Sequence, residues 1–140
     1  MTLIENAHKE GFDEAILLNE RNEVTECTSA NIFAVANGIA YTPPLSSGPL
    51  PGVTRALMLE GLTQSKTPVR ERVLLLDDLF KADEVFITST TRELLPVSHI
   101  LGHAIGSDSH DWPLMSELRI GLQNYIHSYV KQYKSTTTYE

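Results

Sequence analysis

The stretch NIFAVANGIAYTP, Asn31 to Pro43, sets two short runs of β-branched, aromatic and small apolar residues on either side of Asn37-Gly38. A two-residue hairpin turn that follows strand twist needs positive φ at both central positions, which Asn and Gly adopt at low cost. The stretch therefore predicts a β-hairpin. Upstream, DEAILLN (Asp13–Asn19) and EVTECTS (Glu23–Ser29), joined through the polar NERN, predict another. Ahead of both, TLIENAHKEG (Thr2–Gly11) has helix-forming composition and ends on a glycine suited to a C-terminal cap.

Downstream the apolar spacing changes. Val53, Ala56, Leu57, Leu59 and Leu62 give a broad apolar side to a helix reaching about Gln64. PVRERVLL (Pro68–Leu75) returns to strand alternation and LDDLFKA (Leu76–Ala82) is a short helix. DEVFITST (Asp83–Thr90) is a buried strand, and LLPVSHILGHAIG (Leu94–Gly106) reads as paired short strands. Met115, Leu118, Leu122, Tyr125, Ile126, Tyr129 and Tyr133 then recur at helical spacing, with Asp111 as candidate cap and Pro113 in the first turn. The fold class expected is α+β: a mostly antiparallel sheet or partial barrel flanked by helices. Residues 1–134 are expected to form one domain, with STTTYE, residues 135–140, a disordered tail.

The chain has 140 residues, 41% of them hydrophobic, enough for one domain with its own core. Its net charge is −7, with eleven Lys and Arg scattered among eighteen acids, so it lacks the clustered basic surface that nucleic-acid binding needs. A single cysteine, Cys27, excludes an intrachain disulfide and suits a reducing compartment. No apolar run approaches the roughly 20 residues that span a bilayer. The expectation is a cytoplasmic protein with neither nucleic-acid nor membrane partners.

Three stretches carry candidate chemistry. GPLPGVTR (Gly48–Arg55) is a glycine-bearing turn feeding a helix, where the amides of Val53 and Thr54 and the Thr54 hydroxyl would converge on one point suited to a phosphate. It lacks the Lys-Ser/Thr pair of the nucleotide-triphosphate loop, and alone it also fits a plain strand-to-helix turn. ITSTTRE (Ile87–Glu93) ends a strand on Ser89, Thr90 and Thr91, hydroxyls placed for ligand contact or for an ordinary strand end. Glu26 in VTECTSANIF is either a buried carboxylate awaiting a cationic partner or a side chain turned to water. His99, His103 and His110 lack metal-site spacing, and Cys27 lacks an activating base.

In this order the three stretches are similar to a known family. DEAILLN…VTECTSANIFAVANGIAYTPPLSSGPLPGVTR…VRERVLLLDDLFKADEVFITSTTRELLPV resembles the class IV, or fold-type IV, pyridoxal-phosphate-dependent aminotransferases, which include branched-chain and D-amino acid aminotransferases and aminodeoxychorismate lyase. The resemblance runs from about Glu10 to the last helix and matches the large C-terminal domain of the family. It implies that Glu26 pairs with the pyridine nitrogen and that Leu50 packs on the cofactor ring. It implies that Val53 and Thr54 form a phosphate cup, joined by Ser89 and Thr90, and that the amides around Thr90 and Thr91 approach the substrate carboxylate. Asn31 stands beside the acid-bearing strand.

The family's Schiff-base lysine lies upstream of the matching helix. Lys9, Lys66 and Lys81 fall outside its motif, so no residue here is assigned a catalytic role. The lysine and the small N-terminal domain are expected to lie outside this chain, which alone is expected to be inactive. The resemblance implies a homodimeric parent acting on an amino acid and a 2-oxo acid, with branched-chain-type transamination favoured. The alternatives are pyruvate elimination by an aminodeoxychorismate lyase, and a non-enzymatic phosphate-binding or dimerisation module.

Overall fold

The computed structural model describes residues 14–28, 30–88, 93–106 and 111–136. The helix expected over Thr2–Gly11, His110 and residues 137–140 lie outside the described residues, as do the side chains of Tyr129 and Tyr133.

Strands β1 (Ile16–Leu18) and β2 (Val24–Cys27) pair antiparallel as a ribbon. Strands β3 (Asn31–Ala36) and β4 (Ile39–Thr42) form the expected hairpin, with Asn37 at φ 54° and Gly38 at φ 78°. Strands β5 (Val69–Glu71), β6 (Glu84–Thr88) and β7 (Leu94–Pro96) complete a five-stranded sheet in the order β5-β4-β3-β6-β7. Every pair in it is antiparallel except β4–β5. Parallel neighbours need a crossover, and helix α1 (Val53–Gly61) supplies it between them. Helix α2 (Leu76–Lys81) precedes β6. The short strands β8 (His99–Ile100) and β9 (His103–Ala104) pair with each other, and helix α3 (Pro113–Thr136) follows.

The described strands form an open α+β sheet, not a closed barrel. Pleating sends alternate residues of β3 to opposite faces, and both faces are covered. Phe33 and Val35 pack with Met58 and Leu62 near α1 and with Met115, Leu118 and Leu122 of α3. Ile32 and Ala34 pack on the other side with Val24 and Cys27 of β2 and with Leu74 and Leu79. Helices α1 and α3 meet where Gly61 lacks a side chain: a Cβ there would come within 2.5 Å of the Tyr125 ring.

Two expectations are corrected. Helix α1 buries Thr54, Arg55 and Met58, and Leu62 is buried just beyond its end, whereas Val53 and Ala56 are exposed. Hydrophobicity misassigned its first turn because that turn opens onto a polar site. Asp111 does not cap α3. The Trp112 carbonyl accepts the Ser116 N–H at 2.9 Å, which makes Trp112 the cap position. The buried Glu84 carboxylate supplies the cap from β6, accepting the N–H groups of Leu114 at 2.8 Å and Met115 at 3.0 Å. A carboxylate there satisfies orphan donors and meets the positive end of the helix dipole.

Glu84→Ala should therefore lower stability by about 2 kcal/mol, the scale of hydrogen bonds to a charged group, while Asp111→Ala changes it little. Urea midpoints of the two variants check this.

Candidate functional site at the start of helix α1

The segment joining β4 to α1 reads PPLSSGPLPG, Pro43 to Gly52, and four of its residues are prolines without an N–H. It cannot form a backbone ladder. It makes one 3-10 turn (Leu45–Ser47) closed by Gly48 at φ 105°, and a second tight turn in which the Gly52 N–H donates to the Leu50 carbonyl at 2.9 Å. Its carbonyls are held by side chains from elsewhere. The buried Arg55 donates through Nη2 to the Pro43 carbonyl at 3.0 Å and to Glu71 at 2.5 Å. Its Nε–H is buried without an acceptor among the described residues.

The peptide of Leu50 is gripped on both sides. Its N–H donates to Oε2 of Glu26 at 3.3 Å, and its carbonyl accepts from Nδ2 of Asn31 at 3.0 Å. Asn31 is buried at the start of β3, while Glu26 on β2 is half-buried. The structure thus brings Leu50 to Glu26 and Asn31, 24 and 19 residues before it in the sequence. Asn31 reaches one step further: a Cβ on Gly52 would collide with its Oδ1. Gly52 sits at φ −65°, ψ 151°, a conformation open to any residue, so close approach and not backbone strain requires glycine here.

Gly52 is the N-cap of α1, and among the described residues no side chain caps the helix. There is no acid in its first turn. The amides of Val53 and Thr54 therefore face outward at the positive end of the dipole, with Thr54 buried beside them. Two apolar side chains flank this opening, Leu50 at 72% and Val53 at 65% exposed. Donors for an anion next to exposed apolar surface and a carboxylate suit a ligand that combines an anionic group with an apolar body. Ser89, Thr90 and Thr91 lie outside the described residues. The strand that leads to them is described: Thr88 pairs with Asn31 across the β3–β6 ladder.

Other candidates separate cleanly from this site. Among the described residues no group of His, Cys, Asp and Glu could hold a metal ion, and His99 and His103 are exposed. Cys27 is buried, and burial pushes its thiol up from 9.0 to about 12, with the Glu14 and Glu26 carboxylates adding to the shift. Among the described residues no helix is long and apolar enough to cross a membrane. Sequence reading missed Arg55 and the side chains that hold the Leu45–Ser47 turn. Neither had a local signal, since their partners are distant in the chain.

The sequence profile of the amino-transferase class IV family matches residues 3–100. A putative branched-chain-amino-acid aminotransferase of Methanocaldococcus jannaschii is 42% identical over 101 residues, covering 72% of this chain and 35% of that protein. The holo, pyridoxal-phosphate form of a branched-chain amino acid aminotransferase from Thermobaculum terrenum superposes with a TM-score of 0.78 at 27% identity, over 94% of this chain and 43% of that one. A putative 4-amino-4-deoxychorismate lyase from Legionella pneumophila gives a TM-score of 0.76 at 34% identity, over 86% and 44%. The chain belongs to the class IV aminotransferase family, a family of pyridoxal-phosphate-dependent enzymes. It spans well under half the length of these relatives.

Two outcomes are expected. Gly52→Ala should cost about 1–3 kcal/mol, and much less in an Asn31→Ala background, because the Asn31 side chain is what the new methyl meets; a double-mutant cycle by urea unfolding checks it. Iodoacetamide should label Cys27 at least ~100-fold more slowly in the native chain than in urea. Its raised folded value also means that the thiol's contribution to stability is complete below 9.0 and is lost as pH rises towards about 12.

Proposed function

We propose that this chain is the pyridoxal-phosphate-binding part of a class IV aminotransferase whose whole protein moves an amino group between a branched-chain-type amino acid and a 2-oxo acid. The observation that carries this reading is the Leu50 backbone held between Glu26 and Asn31 immediately before a helix N-terminus that no described side chain caps. Within the reading, residues 1–134 form the cofactor-binding domain of a homodimeric protein.

The proposed roles follow from the geometry and the family resemblance. The amides of Val53 and Thr54, with the Thr54 hydroxyl, hold the phosphate. Leu50 lies against the ring and excludes water from it. Glu26 gives Oε2 to the Leu50 amide and keeps Oε1 to hold a proton on the ring nitrogen. Ser89 and Thr90 complete the phosphate contacts, and the amides around Thr90 and Thr91 orient the substrate carboxylate. When bound, pyridoxal phosphate supplies the electron sink for bonds broken at the substrate carbon. Covalent attachment of the cofactor and proton transfer at that carbon are assigned to the remainder of the whole protein, so the chain alone binds without turnover.

A second reading, elimination of pyruvate by an aminodeoxychorismate lyase, is supported by the likeness to the putative Legionella lyase. It uses the same cofactor site. Activity with leucine plus 2-oxoglutarate, or with aminodeoxychorismate, measured on a protein that joins the chain to the parts of its relatives it does not cover, separates the two; activity with neither overturns both.

The cofactor reading is tested on the chain itself. Equilibrium dialysis should give saturable pyridoxal-phosphate binding that weakens roughly tenfold in Thr54→Ala, the value of about one charge-assisted hydrogen bond. Unchanged affinity would mean that the first turn of α1 does not hold the phosphate.

A further inference from the structure

The segment between β4 and α1 has a third anchor that the site above does not use. The tip of the β1–β2 hairpin, Asn19 to Glu23, folds over the Leu45–Ser47 turn. Asn19 donates through Nδ2 to the Ser47 carbonyl at 3.1 Å, and Arg21 donates through Nη2 to the Ser46 carbonyl at 3.1 Å. The Glu23 carboxylate joins both donors to the turn. It accepts from Asn19 Nδ2 at 2.8 Å, Arg21 Nε at 3.1 Å and the Ser47 hydroxyl at 3.1 Å. Its side chain is only 16% exposed, whereas that of Arg21 is 53% exposed. Hydrogen bonds from Asn19 and Arg21, in that order, hold the Glu23 carboxyl below its ordinary value, with the Ser47 bond adding to them. The carboxylate is therefore the hub of the cluster.

Its position in the chain makes this more than a surface contact. Glu23 immediately precedes β2, and its backbone bridges to Leu75. Glu26 stands three residues further along the same strand. Fixing the Leu45–Ser47 turn on Glu23 thus sets the distance between that strand and the proline-rich segment, and with it the reach of the Leu50 amide to Glu26. The segment's own backbone bonds, Ser47 to Pro44, Gly48 to Leu45 and Gly52 to Leu50, are all local, so its position relative to β2 is set by side chains from outside it.

We propose that Glu23 is a positioning residue for the site at the start of α1: through Asn19, Arg21 and Ser47 it clamps the segment Leu45–Gly52 so that Leu50 meets Glu26 and the first turn of α1 stays open to an anion. This rests on the cofactor reading only for what the site binds; the clamp itself is independent of it.

The experiment compares the wild-type chain with Glu23→Ala and Glu23→Gln by amide hydrogen exchange and by equilibrium dialysis against pyridoxal phosphate. In Glu23→Ala, exchange across residues 45–52 should rise while the amides of β3 and β6 keep wild-type protection, and cofactor affinity should fall roughly 3- to 10-fold. Glu23→Gln keeps an oxygen for Ser47 and Asn19 and should recover most of both effects. Unchanged exchange at 45–52 in Glu23→Ala, or a rise shared equally by β3 and β6, overturns the clamp. A wild-type chain that binds no pyridoxal phosphate overturns the cofactor reading instead, and the exchange comparison still decides the role of Glu23.

Discussion

The pairing of β3 with β6 is the constraint on which the other elements depend. Phe33 and Phe86 lie directly opposite in that ladder with their rings stacked 5.0 Å apart, which pins the register, because a one-residue slip would turn each ring to the wrong face. Both faces of β3 are buried, so α1 and α3 must cover one side while the β1–β2 ribbon and α2 cover the other. The same register brings Asn31, at the start of β3, opposite Thr88, at the end of β6. The candidate site lies at this end of the sheet, where the core pairing ends and polar side chains take over.

From that end the organisation is one of borrowed hydrogen bonds. Prolines strip the segment from Pro43 to Gly52 of backbone donors, yet its carbonyls at Pro43, Ser46, Ser47 and Leu50 are each met by a side chain: Arg55, Arg21, Asn19 and Asn31. The donors come from α1, the hairpin tip and β3. The N–H groups the segment keeps serve its own local turns, Ser47 to Pro44, Gly48 to Leu45 and Gly52 to Leu50, so the side chains fix where those turns sit. It also depends on its neighbours, since few contacts within it replace a lost anchor. Glu84 applies the same device at α3, where a strand side chain completes a helix that its own sequence leaves uncapped.

Much of this was legible in the sequence. The Asn37-Gly38 hairpin and the helix that begins at Val53 could be read because each rests on a short local pattern, whereas Glu26 and Leu50 entered as site candidates through the resemblance to a family. What was misread has a common origin. Asp111 was in the right place for a cap by local rules, but Glu84 reaches the helix at Leu114 from 30 residues away. The apolar stripe read for α1 put Val53 inside, but the fold turns the helix so that Thr54 and Arg55 are buried.

The sequence by itself determined most of the secondary elements and marked the glycine-bearing turn before α1 as a candidate anion site, because turn chemistry and side-chain periodicity act over a few residues. Only the tertiary structure decided that Asn31 and Glu26 hold the N–H and C=O of one residue, Leu50, that Gly52 must lack a side chain, and that Glu23 meets a turn 24 residues away. Those contacts exist only once the β3–β6 ladder has brought distant segments together, and no spacing along the chain encodes which side chain will then lie opposite which carbonyl.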